Sequence, residues 1–161
     1  MDKIEELLKD PKTDLQKKAL TDKSYKKPPN NQDCKINFEL ATYGDAILKC
    51  VLCKIYFERE DEDNFGFKGK LTEWKKQYES DEVLVKFIAR HYDILNFLNF
   101  DRDDTKKPHD YDYQGKNAKK RYKYIATAME ASIAAVYIEN GENEVIEIVK
   151  QWIQWIDESK S

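Results

Sequence analysis

The sequence predicts an all-α fold in a single domain. Three observations carry that prediction. Glycine and proline are scarce, at 5 and 4 of 161 residues. The segments between them carry helical rather than alternating apolar periodicity. No two segments read as a convincing strand pair. A chain of this length buries about 70% of its unfolded surface, so it needs neither disulfides nor a structural metal to hold a core. Hydrophobic residues at 40% and aromatics at 12% exclude a wholly disordered chain.

The elements follow in order. Ile4, Leu7 and Leu8 make a short amphipathic start, so residues 1–12 read as a helical extension ahead of a body at 13–158. After Pro11, Thr13 or Asp14 caps a helix carrying Leu15, Ala19 and Leu20. The stretch from Tyr25 to Asn31, with Pro28-Pro29-Asn30-Asn31, reads as a loop. From Lys35 to about Phe57 runs the longest apolar segment, with Ile36, Leu40, Ile47, Leu48, Val51, Leu52 and Ile55. Apolar residues cover much of its circumference, which predicts the central helix of the core. Gly44 lies inside it, where glycine costs roughly 0.5–1 kcal/mol relative to alanine, and so predicts a close helix approach.

An acidic loop, Glu58 to Asp63, ends at Gly66 and Gly69. A helix over Leu71–Tyr78 follows, and then one opened by Ser80-Asp81-Glu82 with Leu84, Phe87 and Ile88 on one face. Residues 101–117 form a polar insertion without periodicity, read as a mobile surface loop rather than a substrate contact. Lys119 to Ile138 reads as a strong helix stopped by Asn140-Gly141. The last segment, Glu144 to Ile156, is amphipathic through Ile148, Trp152, Trp155 and Ile156.

Charge narrows the function classes. With 28 Lys+Arg against 31 Asp+Glu the formal net charge is −3, which argues against indiscriminate binding to nucleic acid. The charges are segregated, however. Acids crowd 58–63 and 101–104, whereas Lys116, Lys119, Lys120, Arg121 and Lys123 form a dense basic stretch interleaved with Tyr122 and Tyr124. Lys17, Lys18, Lys23, Lys26 and Lys27 form a second. Such clusters neutralise phosphates, although an ordinary solvated lysine-rich face has the same composition. Cys34, Cys50 and Cys53 are an odd set, and the lone C-x-x-C sits in a helical segment without a second pair. These thiols read as buried or half-buried side chains in a reducing compartment. No apolar run approaches the ~18 residues of a membrane span, and the charged start MDKIEELLKD lacks a signal peptide's apolar stretch. The expectation is an intracellular protein, cytoplasmic or nuclear, with no membrane partner.

Two acids inside helices are candidates for chemistry: Asp45, beside Gly44, and Glu130. Each taken alone reads as a half-exposed acid on a helix rim. Buried, either would need a cation or a lysine nearby.

Their surroundings carry a resemblance. Asn37-Phe38-Glu39-Leu40-Ala41-Thr42-Tyr43-Gly44-Asp45-Ala46-Ile47-Leu48 resembles the signature helix of the ribonuclease III catalytic domain, N-E-x-L-E-F-L-G-D-A-V-L. Ala19-Leu20-Thr21-Asp22-Lys23-Ser24-Tyr25 resembles its A-L-T-H-x-S-Y. Gly69-Lys70-Leu71-Thr72 through Ser80-Asp81-Glu82-Val83-Leu84 is similar to its G-x-L-(T/S)…S-N-x-x-L. Met129-Glu130-Ala131 through Asn140-Gly141 resembles its D-x-x-E-A-x-I-G-A-x-Y-x-D-x-G. The four matches come in order and span roughly 13–157.

The resemblance implies a ribonuclease III-like helical endonuclease domain that dimerises and cuts double-stranded RNA, with carboxylates holding Mg²⁺ against the phosphodiester. Asp45 and Glu130 match two of the family's four principal metal-binding acids. The other two fall on Ala41 and Thr127, and a further family acid falls on Lys68. Neighbours on the helix do not substitute. Glu39 is rotated ~120° from Asp45, and the face neighbours Ala41, Leu48 and Lys49 of Asp45, or Ala126, Thr127, Ile133 and Ala134 of Glu130, include no acid. Any Mg²⁺ at Asp45 and Glu130 is expected to be weak, with the Lys68 ammonium placed to take the cation's position. The family's dimer-anchoring aromatic falls on Thr42, with Tyr43 and Phe38 nearby, so a homodimer or a heterodimer with a related ribonuclease III-like protein is expected. No separate duplex-RNA-binding domain is expected after residue 157.

Three functions are compatible with this pattern. The favoured one is a catalytically impaired pseudoenzyme that binds double-stranded or structured RNA in an RNA-processing or ribosome-related complex. The second is an active Mg²⁺-dependent endoribonuclease whose site is rearranged around Asp45, Glu130 and acids from 58–63 or 101–104. The third is a protein-interaction module without RNA binding.

Overall fold

The computed structural model describes residues 1–25, 37–59 and 69–161. The proline-rich stretch from 26, most of the acidic loop, Cys34 and Lys68 lie outside the described residues, and with them the expectation that Lys68 reaches Asp45 or Glu130.

The polar signals at the helix starts act as the sequence predicts. The Thr13 hydroxyl, rather than Asp14, caps α2 (Asp14–Ala19) by accepting from Gln16 N at 3.1 Å. Ser80 accepts from Val83 N at 3.2 Å and opens α5 (Asp81–Val83). That helix passes into a π-helical turn (Leu84–Ala89) and α6 (Arg90–Tyr92). Before them stand α1 (Lys3–Lys9), α3 (Phe38–Glu58) and α4 (Lys70–Glu79), and after them α7 (Ala118–Arg121), α8 (Lys123–Asn140) and α9 (Glu142–Ser159). Gly141, at φ 90°, turns α8 into α9, a conformation that favours glycine. Among the described residues the only β pairing is a bridge between Thr21 and Asn99, so the fold is all-α. No described helix is long and apolar enough to cross a membrane.

Several expectations change. The centre of the core is α8 rather than α3: every residue from Tyr124 to Val136 is buried, whereas α3 leaves Phe38, Thr42, Tyr43 and Lys49 exposed. The small residues Ala126, Ala128, Ala131, Ser132, Ala134 and Ala135 make this possible, because they let neighbours approach α8 from every side. The helix read over 119–138 is also divided at Tyr122, between α7 and α8.

The insertion at 101–117 departs from expectation too, for it is bonded to the body at many points. Asp101 N donates to Ser24 Oγ at 3.0 Å, and the Arg102 guanidinium donates to the carbonyls of Leu95 and Leu98 at 3.0 and 3.3 Å. The Tyr111 hydroxyl accepts from Leu95 N and donates to Asp93, both at 2.9 Å. Tyr124 donates to Pro108 O, Tyr122 to Asp110, and Arg90 pairs with Asp112 at 2.8 Å. These tyrosines lie outside any apolar repeat of the loop itself, which is why periodicity reads it as unanchored. The cysteines also divide: Cys53 is half-buried as expected, but Cys50 is exposed, and both are free.

Candidate functional site

The site begins with one atom that α3 lacks. A Cβ built on Gly44 would lie 1.7 Å from the carbonyl oxygen of Glu130, so only glycine lets α3 cross α8 at this distance. The close approach predicted from Gly44 is therefore present, and its partner is the backbone of the second candidate acid. Asp45 and Glu130 consequently line one cleft of about 610 Å³, together with Ala41 and Thr127, the two positions where acids are missing.

The electrostatics of this cleft are set by two ion pairs at its rim and one buried acid. Lys49, one turn after Asp45, donates to its carboxylate at 2.8 Å. Lys123, at the start of α8, pairs with Asp81 at 3.1 Å, and Glu79 and Glu82 complete the acidic rim. Glu130 is 7% exposed, and no hydrogen bond from a described residue reaches its carboxylate. Burial lifts its pKa from an ordinary 4.5 to about 7. Lys123 and Lys49 oppose that rise, while Asp45 and Asp81 add to it. Both lysines are held above the usual ammonium range, Lys49 first by its bond to Asp45 and Lys123, despite desolvation, by Asp81.

This donor set does not fit Mg²⁺. The ion binds through carboxylates in a strict octahedral shell and sheds its waters reluctantly. Here the Asp45 and Asp81 carboxylates are bonded to ammonium groups, the carboxyl of Glu130 is half protonated near neutrality, and Ala41 and Thr127 supply nothing anionic. Among the described residues no group of three or more His, Cys, Asp or Glu is arranged to hold a metal. Two lysines stand beside these acids, Lys49 and Lys123. The described loop acids proposed as replacements, Asp101 to Asp104, do not line this cleft, and Asp104 turns up in the neighbouring cavity. Asp81, Glu79 and Glu82 converge here instead. Their signal was the S-N-x-x-L match, which fixes where the chain turns from α4 into α5.

Beside the cleft, and sharing Phe38, Lys123 and Thr127 with it, lies a basic cavity of about 740 Å³. Of the predicted RNA-contacting residues, Lys120, Arg121 and Lys123 line this cavity and Lys119 lines the acidic cleft. Lys116 lies exposed on the insertion, outside both. Lys23, from the second basic stretch, lines it too, and Lys106 and Lys107 of the insertion join them unpredicted. The wall is fixed by a buried ion pair: Lys107 Nζ lies 3.3 Å from Asp22, with side-chain exposures of 13% and 8%. Burial opposes ionisation of Asp22, but bonds from Ser24 and the Lys107 charge hold its carboxyl below the usual carboxylate range. Lys107 also rests 4.6 Å over the ring of Tyr124. The Lys-Lys-Pro run at 106–108 was the available signal.

The family model described as Ribonuclease-III-like matches residues 12–155, which takes in both the cleft and the cavity. The chain belongs to the ribonuclease-III-like family. Ribonuclease 3 of a Nitratiruptor species is 28% identical over 134 residues, 83% of this chain and 51% of that protein. Ribonuclease 3 of Azotobacter vinelandii is 29% identical over 140 residues, 87% and 52% of the two chains. The chain spans about half the length of these curated relatives. A solved nuclease domain of ribonuclease III from Campylobacter jejuni, described for flexibility in a region involved in dimer formation, shares the fold at a TM-score of 0.68 and 23% identity, covering 94% of each chain. The ribonuclease-III-like fold thus accounts for the whole helical body.

Proposed function

We propose that this ribonuclease-III-like domain binds double-stranded or structured RNA with little or no ability to cut it, as a component of an RNA-processing or ribosome-related complex. The observation that carries the reading is the pairing of Asp45 with Lys49 and Asp81 with Lys123 at the place where the family resemblance calls for metal-holding carboxylates. Losing even supporting groups around a metal costs about 10–100-fold in affinity or activity, and losing direct ligands costs more. The adjacent basic cavity and the exposed Lys116 and Lys119 supply cations for phosphates. A duplex would be gripped by shape and backbone rather than by sequence.

The face for a second chain is the outer side of α3, where Phe38 and Tyr43 are 63% and 46% exposed around Thr42. A second copy or a related ribonuclease-III-like chain fits this apolar strip, and sedimentation at micromolar concentration checks it: a clean monomer refutes the homodimer.

One observation favours a second reading, an active Mg²⁺-dependent endoribonuclease. Asp45, Glu130, Asp81, Glu79 and Glu82 all line one cleft, and this reading requires a rearrangement that frees Asp45 and Asp81 from their lysines and brings the carboxylates together. Incubating a duplex RNA with Mg²⁺ or Mn²⁺ separates the two. The first reading expects no cleavage beyond that of Asp45→Ala. Cleavage abolished by Asp45→Ala overturns it. A gel shift that weakens with salt, with a slope reduced by about 1 for each lysine contact removed, supports RNA binding, and no shift at low salt leaves only a protein-interaction module.

A further inference from the structure

We infer that the basic cavity is a binding site for a phosphate monoester, carried either on the end of a nucleic-acid strand or on a free nucleotide. The inference deepens the RNA reading and rests on it for the strand, while the cavity's own chemistry rests on charge and shape.

Six cations line the cavity: Lys23, Lys106, Lys107, Lys120, Arg121 and Lys123. Two of them are committed elsewhere, Lys107 to Asp22 and Lys123 to Asp81. Arg121 donates only to a neutral group, the carbonyl of Gln114 at 3.4 Å. Lys23, Lys106 and Lys120 form no ion pair among the described residues. Against these four stands one uncommitted carboxylate, Asp104, and it already accepts from the Lys106 backbone N–H at 2.9 Å. Among the described residues the cavity therefore holds an excess of positive charge.

The arrangement is built rather than incidental. Its four uncommitted cations come from three separate parts of the chain: the turn after α2, the insertion, and α7. The Asp22–Lys107 pair and the Tyr124 bond to Pro108 hold the insertion against the body, and Lys106 lines the same cavity as Lys120 and Arg121 of α7. Cations gathered in this way raise the local positive potential, which favours an entering anion.

Shape and charge choose the anion. A volume of about 740 Å³ lies within the range of small-ligand sites, roughly 300–1,000 Å³, and exceeds what a bare phosphate fills. Internal phosphates of a duplex carry one charge each and lie along a convex ridge. A phosphate monoester carries about two charges near neutral pH, offers three acceptor oxygens and projects from the end of its strand or nucleoside. Arg121 and the free lysines match that group, and charge-assisted bonds of this kind are the strong ones.

The test uses the full chain near neutral pH. Calorimetric titration with adenosine 5′-monophosphate is expected to show binding that adenosine does not and that inorganic phosphate displaces. In a gel shift, a duplex RNA bearing 5′-phosphates is expected to bind about tenfold more tightly than the same duplex with 5′-hydroxyls. Lys106→Gln with Lys120→Gln, both exposed positions, is expected to weaken both duplexes and to bring the ratio of their affinities down to about 1. Nucleotide binding with equal affinity for the two duplexes supports the site and assigns it to a free nucleotide. No nucleotide binding together with equal duplex affinities overturns the inference and leaves the RNA reading standing. If neither duplex binds, the RNA reading falls, and the nucleotide titration alone decides the cavity.

Discussion

The acidic cleft and the basic cavity share a wall yet treat charge in opposite ways. In the cleft acids and cations are mixed: Lys49 holds Asp45, Lys123 holds Asp81, Lys76 and Lys119 add positive charge to the lining, and the buried Glu130 is half neutralised by its own proton. In the cavity four cations meet one uncommitted carboxylate among the described residues. Acids that already face lysines leave little for a metal to bind, whereas uncommitted cations leave room for an anion. The difference teaches that the place inherited from the family and the place that now asks for a ligand are neighbours rather than one site.

The largest expected effect attacks the crossing that builds the cleft. In Gly44→Ala the new methyl would lie 1.7 Å from the Glu130 carbonyl oxygen, and backbone atoms on both sides leave no soft group to yield. Overpacking of this severity should cost about 3 kcal/mol or more, read as a lower urea midpoint. A loss under about 1 kcal/mol would show that α3 and α8 part easily and that Asp45 and Glu130 are not held together.

The cavity's counterpart is Lys107→Met. It leaves Asp22 buried with its Ser24 bonds but no cation, and should cost about 2–3 kcal/mol, since breaking a buried pair strands a charge. The sign with pH is fixed by Asp22. Its folded pKa lies below the ordinary value of 3.8, so its contribution is present above that value and is lost as pH falls through the folded one. Wild type and variant should therefore converge in strong acid.

How much of this was readable from the residues differs between the two places. The helices, Thr13 and Ser80 caps and Gly44 crossing rest on local signals, namely period, cap chemistry and a glycine where none is welcome. So does the pairing of Asp45 with Lys49, four residues apart on one helix. The cavity depends on tertiary placement. Nothing in the run Asp-Thr-Lys-Lys-Pro-His says that Lys107 will reach Asp22, 85 positions earlier, or that Tyr111 will bond the backbone at Leu95. The dominance of α8 over α3 was hidden for a related reason. Alanines add little to a hydrophobic pattern but allow the tightest packing.

Glu130→Gln tests what the burial of this carboxyl costs the fold. A carboxyl with an ordinary value of 4.5 that titrates at about 7 in the fold binds more protons folded than unfolded between those values. Stability therefore falls as pH rises through that window, by about 3 kcal/mol at most. Glutamine carries no such penalty, so the variant should exceed wild type by about 2 kcal/mol at about pH 8 and match it at about pH 5. A variant less stable than wild type at the higher pH would mean that the ionised carboxylate has a partner in the folded protein.

The smallest effect is the most discriminating for the role of the lysines. Lys49→Ala removes an exposed i,i+4 pair with Asp45, worth about 0.5 kcal/mol. It also removes one of the charges that restrain Glu130. Without it the Glu130 carboxyl should titrate at a still higher pH, so the fall of stability with pH continues beyond the wild-type window. The loss caused by the substitution should be small at about pH 5, where Glu130 is largely protonated in both proteins, and larger at about pH 8, where only the variant still resists ionisation. Urea unfolding at the two pH values reads the difference directly. An equal loss at both would confine Lys49 to its bond with Asp45 and leave Lys123 as the sole counter-charge to the buried glutamate.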